Sequence, residues 1–216
     1  MDWLHAIADL VLHLDRHLAD ALAAYHLWVY ALLFFIVFAE TGFVVTPFLP
    51  GDSLLFAAGA LAAIDRSGNL RAVPAFLLLA VAASAGNSLN YLIGRKVGQV
   101  AFSGRYRWLR MDHLQRTHDY FERHGGLAVL LSRFVPIVRT FTPFVAGIAR
   151  MGFATFQLFN VAGAVAWVGL LLSSGYLFGN LPWVKGNFGL VTLGIIAVSL
   201  APLALVWWRD RSGARA

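Results

Sequence analysis

Four ionisable side chains interrupt stretches of sequence that are otherwise almost entirely apolar. Glu40 and Asp52 lie in the first long apolar stretch, and Arg133 and Arg139 lie in a later one. A charge at the depth of a bilayer costs roughly 3 kcal/mol on insertion scales, so such residues usually pair with one another and mark functional sites. If the two stretches meet, we expect the four charges to neutralise in pairs.

The two residue types suit the transport of an anion. The guanidinium forks of Arg133 and Arg139 match the geometry of a phosphate group, which they can bind through two parallel hydrogen bonds. Burial and a neighbouring guanidinium act in opposite directions on the pKa of a carboxyl group, so Glu40 and Asp52 are candidates for proton coupling. The alternative is that all four residues form structural salt bridges, although a single pair would be enough for that purpose.

The segments that carry these charges are poorly suited to be plain transmembrane helices. Proline removes a backbone donor and clashes with the preceding turn of a helix, and glycine permits the chain to reverse. The expected breaks are at Pro47, Pro50, Gly51, Pro136 and Pro143. Irregular backbone at membrane depth must be shielded from lipid, which predicts two re-entrant elements, over about residues 41–64 and 127–149.

The composition places the chain among integral membrane proteins. Of its 216 residues, 59% are hydrophobic and only 13% are charged, and the mean hydropathy is +0.69. The absence of cysteine excludes disulfides and thiolate metal sites. The net charge of +6 does not indicate nucleic-acid binding, because the basic residues flank the apolar segments, where they set orientation. We expect no cofactor, no metal site and no catalytic residues.

The remaining segments complete an all-α polytopic architecture. We predict an amphipathic interfacial helix over residues 1–24, a single membrane domain over 25–208 with a basic segment at 95–126, and a basic tail over 209–216. We predict four spans. The first ends at about Glu40, and the others cover residues 73–93, 155–178 and 188–208.

The basic residues predict the orientation of these spans. Segments 95–126 and 209–216 carry seven and three basic residues, against two in 65–72 and one in 180–187. The positive-inside rule therefore places both termini in the cytoplasm and makes the two re-entrant elements enter from opposite sides, as in an inverted repeat. A shift of 88 residues matches Phe56, Ala58 and Gly59 with Phe144, Ala146 and Gly147.

Two weaker patterns have structural as well as functional interpretations. Asn87, Asn90 and Tyr91 share one helical face, so they either line a transport cavity or hydrogen-bond between helices. Gly175 and Gly179 form a G-x-x-x-G spacing, which is compatible with plain packing or with a homo-oligomer.

Four sequence motifs resemble those of a known family. In order, they are F-x-E-T-G-x-x-V-T-P-F-L-P-G-D-S-L-L-F, G-N-S-L-N-Y-x-I-G-R, H-G-G and S-R-F-V-P-I-V-R-T-F-T-P-F-V-A-G, and they resemble the DedA family of bacterial inner-membrane proteins, also called the SNARE-associated or VTT-domain family. The resemblance covers about residues 25–180. It implies a proton-linked transporter of undecaprenyl phosphate or phosphatidylethanolamine, with its essential acids at Glu40 and Asp52 and its essential arginines at Arg133 and Arg139. Many members carry Asp where this chain has Asn87.

These observations favour a lipid flippase or scramblase of the bacterial inner membrane, which binds lipid phosphate and is coupled to protons. The alternative is a proton-coupled antiporter of small cations or cationic drugs, in which the acids bind the substrate. A lipid phosphatase is disfavoured, because no intramembrane His, Cys or suitably flanked Ser offers a nucleophile.

Overall fold

The computed structural model describes residues 28–43, 51–65, 68–101, 125–179, 181–187, 190–191 and 194, and these are helical with short connections and no β-strand. This confirms the all-α prediction for the described part of the chain. The predicted interfacial helix 1–24, the tail 209–216, residues 102–124 of the basic segment 95–126, and almost all of span 188–208 lie outside these residues. Pro47 and Pro50 lie outside them too.

Seven helical segments of five or more residues follow one another along the described chain. They are α1 (Trp28–Gly42), α2 (Gly51–Ile64), α3 (Ala72–Ala101), α4 (residues 125–132), α5 (Pro136–Ile148), α6 (Phe153–Phe178) and α7 (Pro182–Gly186).

Two of these helices are long and apolar enough to cross a membrane. The candidate spans are Ala72–Val97 in α3 and Phe153–Phe178, the whole of α6, with 26 residues each. At about 1.5 Å per residue both exceed the ~30 Å hydrocarbon core. By contrast, α2 has 14 residues and α5 has 13, so each reaches only about two thirds of that distance.

The second charged segment is interrupted where its two helices meet. The amides of Arg133, Phe134 and Val135 each bond the carbonyl three residues earlier, at 3.4, 3.1 and 3.0 Å, which tightens and ends α4. Val135 is extended (φ −119°, ψ 106°) and Pro136 begins α5. A residue before proline avoids the helical region, and proline is tolerated in the first turn. The interruption expected within 127–149 therefore falls at residues 133–135.

Pro143, in contrast, does not break its helix, and that expectation was wrong. It lies inside α5, which continues from Pro136 to Ile148. Proline removes the one hydrogen bond that its amide would donate, but the Thr142 hydroxyl donates to the Val138 carbonyl at 2.7 Å in the same turn. Ser/Thr side chains and neighbouring helices commonly stabilise membrane helices around a proline in this way.

The chain divides into two compact units. The first comprises residues 1–33, 50–76 and 170–216, and the second comprises 34–49 and 77–169. Helices α1, α3 and α6 each contribute one segment to both units. Gly51 begins α2 in the first unit, and Pro136 begins α5 in the second.

In the first unit, α2 and α6 approach so closely that only glycine fits at the crossing. A Cβ atom at Gly59 would lie 2.1 Å from the Leu172 carbonyl oxygen, and one at Gly175 would lie 2.0 Å from the Phe56 carbonyl oxygen. Each glycine thus packs against a backbone carbonyl of the other helix. That carbonyl belongs to the residue three positions before the other helix's glycine. Such small-residue crossings let membrane helices pack backbone to backbone.

The second unit contains the same reciprocal crossing between α5 and α3. A Cβ at Gly147 would lie 2.1 Å from the Tyr91 carbonyl oxygen, and one at Gly94 would lie 2.0 Å from the Phe144 carbonyl oxygen. The short helices α2 and α5 match at the shift of 88 residues seen in the sequence. The long helices match at a different shift, 81 residues, since Tyr91 and Gly94 correspond to Leu172 and Gly175.

Candidate functional site

A buried ion pair joins the two charged segments within the second unit. Glu40 lies in the last turn of α1 and Arg139 in the first turn of α5. Arg139 Nη2 lies 2.5 Å from Glu40 Oε1, and the side chains are only 10% and 1% exposed. A guanidinium and a carboxylate that are removed from solvent must neutralise each other in this way.

Arg133 is equally buried, but its partners are neutral. This residue is 2% exposed and lies in the break between α4 and α5. Its Nη2 donates to the side-chain oxygen of Asn160 at 2.7 Å and to the Ala83 carbonyl at 3.2 Å. The expectation that both arginines form ion pairs was therefore wrong for Arg133, which has no carboxylate partner in the described part of the chain.

An indole ring lies beside both guanidinium groups. The Cζ atoms of Arg139 and Arg133 lie 5.0 and 6.0 Å from the ring centre of Trp167 on α6. Within about 6 Å the face of an indole attracts a cation through its quadrupole. Trp167 is 3% exposed, so it stabilises two desolvated cations without contributing a negative charge.

Asn160 is held by a network of polar groups from α3 and α6. Its Nδ2 donates to the Ser84 carbonyl at 2.9 Å, and it lies 3.2 Å from the Gln157 side-chain oxygen and 3.3 Å from the Ser88 hydroxyl. Ser88 in turn donates to Gln157 at 2.8 Å. Because the amide nitrogen faces these acceptors, the amide oxygen faces Arg133.

Asp52 lies in the other compact unit, on the first turn of α2. A carboxylate in this position is favoured by the partial positive charge at a helix N-terminus. Of the four charged residues, the structure therefore brings Glu40, Arg133 and Arg139 together in the second unit, while Asp52 belongs to the first.

Several charged and polar side chains are buried, while many large apolar side chains are exposed. Buried polar residues include Glu40, Arg133 and Asn160, whereas large apolar side chains such as Phe35 and Leu158 are about two-thirds exposed (66% and 67%). Exposed apolar side chains around a few buried charges are what a lipid solvent favours.

The sequence matches the model of the VTT domain over residues 49–177. It is 49% identical to Protein DedA of Escherichia coli K12 over 203 residues, which cover 94% of this chain and 92% of that protein. It is also 37% identical to the inner membrane protein YghB of the same strain, over 91% of this chain and 90% of that protein. The chain belongs to the DedA family. No solved structure matches it.

Membership of the DedA family confirms the resemblance carried by the four motifs and the assignment to the membrane. A further relative, an uncharacterized membrane protein of Mycobacterium leprae, is 37% identical over 80% of this chain and 77% of its own length. The VTT-domain match includes Asp52, Arg133 and Arg139, and Glu40 precedes it.

The amide and tyrosine side chains of α3 bridge helices of this DedA-family protein. Asn90 is fully buried and donates to the Thr140 carbonyl at 2.8 Å and to the Thr41 carbonyl at 3.4 Å. The Tyr91 hydroxyl donates to the Met151 carbonyl. These contacts are those of the helix-bonding alternative rather than of cavity lining. Asn87 is buried as well, at 3% exposure.

Sequence reasoning missed the part of the site that α6 contributes. Asn160, Gly163 and Trp167 follow one another at intervals of three and four, so they share one face of the helix. The signal was available, because Gln157 and Asn160 are the only amides inside the apolar span 155–178. Polar residues within a span usually face the protein interior.

Proposed function

We propose that this protein is a flippase or scramblase that moves a phosphate-bearing lipid across the bacterial inner membrane. The observation that carries the proposal is Arg133, a buried guanidinium whose partners among the described residues are all neutral, next to the Glu40–Arg139 pair. A desolvated cation without a counter-ion attracts an anion strongly, and the guanidinium fork suits phosphate in particular. Undecaprenyl phosphate and phosphatidylethanolamine are the lipids that we expect.

The ion pair suggests how the lipid could be released. Glu40 is paired with Arg139. Without this pairing, Arg139 and Arg133 could bind the phosphate together. Ionised Glu40 therefore competes with the phosphate for Arg139, and protonated Glu40 leaves Arg139 to the phosphate. We propose that Glu40 and Asp52 couple transport to the proton-motive force through such competition.

The topology that we propose has four spans, two re-entrant elements over about 41–64 and 127–149, and both termini in the cytoplasm. The reciprocal glycine crossings support it, because the same short-to-long helix packing occurs in each compact unit. The lengths of α2 and α5 support it too, since neither helix reaches across the hydrocarbon core. Elements that enter from opposite sides are typical of inverted-repeat transporters.

Cysteine labelling tests this topology, because the natural chain has no cysteine. We expect Arg110→Cys to be protected from a membrane-impermeant maleimide in intact cells, and Gly68→Cys to be labelled. Arg110 belongs to the basic segment that the positive-inside rule assigns to the cytoplasm, and Gly68 lies in the connection before α3. Labelling of position 110 in intact cells would contradict the orientation.

The function is tested by transport in liposomes of defined composition. We expect the wild-type protein to move fluorescent phosphate lipids between leaflets, and Arg133→Lys and Arg139→Lys each to lower the rate at least about tenfold, because an ammonium group cannot replace the guanidinium fork. Arg150→Lys is the matched control, since Arg150 is exposed and lies two residues after the end of α5. It should transport at the wild-type rate.

The same preparation distinguishes the competing function. If the liposomes exchange protons for a small cation but move no lipid, and if both lysine variants remain active, the protein is an antiporter. In that case only positive charge is needed at positions 133 and 139.

A further inference from the structure

The face of α6 toward Arg133 combines three residues with different tasks. Asn160 accepts a hydrogen bond from the guanidinium, and the ring centre of Trp167 lies 6.0 Å from its Cζ atom. Gly163 makes room for the side chain, because a Cβ there would lie 2.9 Å from Arg133 Cδ and 3.3 Å from Nε. We call these three residues the α6 cradle.

The α6 cradle is uncharged, although a carboxylate would be the obvious partner for a buried guanidinium. Asparagine and aspartate have nearly the same shape, so an aspartate at position 160 could reach Arg133 as well as the amide does. The 2.7 Å bond from Arg133 Nη2 to Asn160 Oδ1 is already of the length of a charge-assisted hydrogen bond. Toward Arg133 the amide lacks only the negative charge; on its other side it donates to the Ser84 carbonyl, which a carboxylate cannot do.

We propose that Asn160 is a positioning residue that holds the Arg133 guanidinium in place while leaving its positive charge for the lipid phosphate. A carboxylate here would form a closed ion pair with Arg133 and exclude the phosphate. The inference rests on the proposed function and adds to it the residue that keeps the phosphate site cationic.

The orientation of the Asn160 amide supports this role. The Ser84 carbonyl can only accept a hydrogen bond and the Arg133 guanidinium can only donate one, and they lie on opposite ends of the amide. The amide is therefore fixed with its oxygen toward the arginine. Ser84 and Arg133 are themselves buried, so water does not compete for this arrangement.

The test compares Asn160→Asp, Asn160→Ala and Asn187→Asp in the purified full-length protein. The probe is phosphatidic acid with a fluorescent acyl chain, and the matched diacylglycerol, which lacks the phosphate, gives the background. We expect Asn160→Asp to bind the probe at least about tenfold more weakly at neutral pH, which corresponds to about 1.4 kcal/mol. Its thermal midpoint should be no lower than that of Asn160→Ala.

Lipid binding and thermal stability should rank the two Asn160 variants in opposite orders, and this identifies the role of Asn160. Asn160→Ala removes the hydrogen bonds but adds no charge, so it should lose less binding than Asn160→Asp while being less stable. If Asn160 only joined helices, binding and stability would fall together in both variants. Asn187→Asp makes the same exchange just after α7 in the first unit, where the Asn187 amide bonds the Trp183 carbonyl, and it should bind as the wild type does.

Two outcomes separate this inference from the proposed function. If the wild type binds no phosphatidic acid above the diacylglycerol background, the function itself is wrong. If the wild type binds and Arg133→Lys does not, but Asn160→Asp binds like the wild type, only the role of Asn160 is overturned. Should inorganic phosphate bind as tightly as the lipid, the ligand is free phosphate and not a lipid.

Gly163→Ala decides the question if Asn160→Asp does not fold. The added methyl would displace the stem of Arg133 and draw its guanidinium away from Asn160, without changing any charge. We expect binding to weaken several-fold, and Gly152→Ala, whose Cβ would meet nothing closer than 3.7 Å, to have no effect. Wild-type binding by Gly163→Ala would overturn the inference.

Discussion

Gly147→Ala is expected to destabilise the protein by about 3 kcal/mol or more, at the upper end of the usual cost of overpacking. The new methyl carbon would lie 2.1 Å from the Tyr91 carbonyl oxygen and 2.7 Å from the Arg95 amide nitrogen. Both are backbone atoms of α3, so no side chain can rotate away and the two helices must separate. Thermal unfolding in detergent measures the loss.

Two further glycines provide the comparison for Gly147→Ala. Gly59→Ala should cost a similar amount, because its methyl would lie 2.1 Å from the Leu172 carbonyl oxygen in the matching crossing of the first unit. Gly152→Ala should unfold at the wild-type temperature. Equal midpoints for Gly147→Ala and Gly152→Ala would show that α5 and α3 do not touch backbone to backbone.

Removal of either member of the Glu40–Arg139 pair should also have a large effect. Breaking a buried ion pair by losing one partner typically costs about 3–5 kcal/mol, because a charge is left in a medium that solvates it poorly. We therefore expect Glu40→Gln and Arg139→Gln each to lower the thermal midpoint strongly. The double variant should be more stable than the sum of the two single losses predicts.

A double variant whose loss equals that sum would show that the two side chains do not interact. Asp65→Asn serves as the control for removal of a carboxylate elsewhere. Asp65 follows α2 in the first unit and accepts a hydrogen bond from the Leu70 amide at 2.7 Å, so its replacement removes a carboxylate that is not part of the Glu40–Arg139 pair.

Glu40→Gln should also remove the pH dependence of transport. Acid protonates Glu40 and releases Arg139 to the lipid phosphate, so binding by the wild type should strengthen as the pH falls. The glutamine variant imitates the protonated state: it should bind lipid at all pH values and turn over poorly, because the phosphate is no longer displaced. Binding and transport between about pH 5.5 and 8.5 measure this, with Asp52→Asn in parallel.

Wild-type pH profiles in both acid variants would mean that neither carboxylate couples protons to transport. The ion pair would then be a structural contact between α1 and α5.

The amino-acid sequence by itself determined the class of the protein and the location of the break in its second charged segment. Apolar length, the charges within it and the prolines are local properties, and their costs in a bilayer do not depend on how distant segments pack. The break before Pro136 follows from such a local rule, because proline restricts the residue that precedes it. The same rule predicts a break at Pro143, but there the Thr142 hydroxyl and the packing around α5 allow the helix to continue.

Only the tertiary structure decided which charges meet. Glu40 and Arg139 are 99 residues apart in the chain, and nothing in their local sequence distinguishes Arg139 from Arg133 as the partner. Which arginine pairs with Glu40 depends on the direction of each side chain around the break at 133–135. Arg139 lies toward α1, and Arg133 lies toward α6. Asn160 became part of the site for the same reason: an amide in an apolar helix signals an interior face, but only the packing of α6 shows that this face holds a cation.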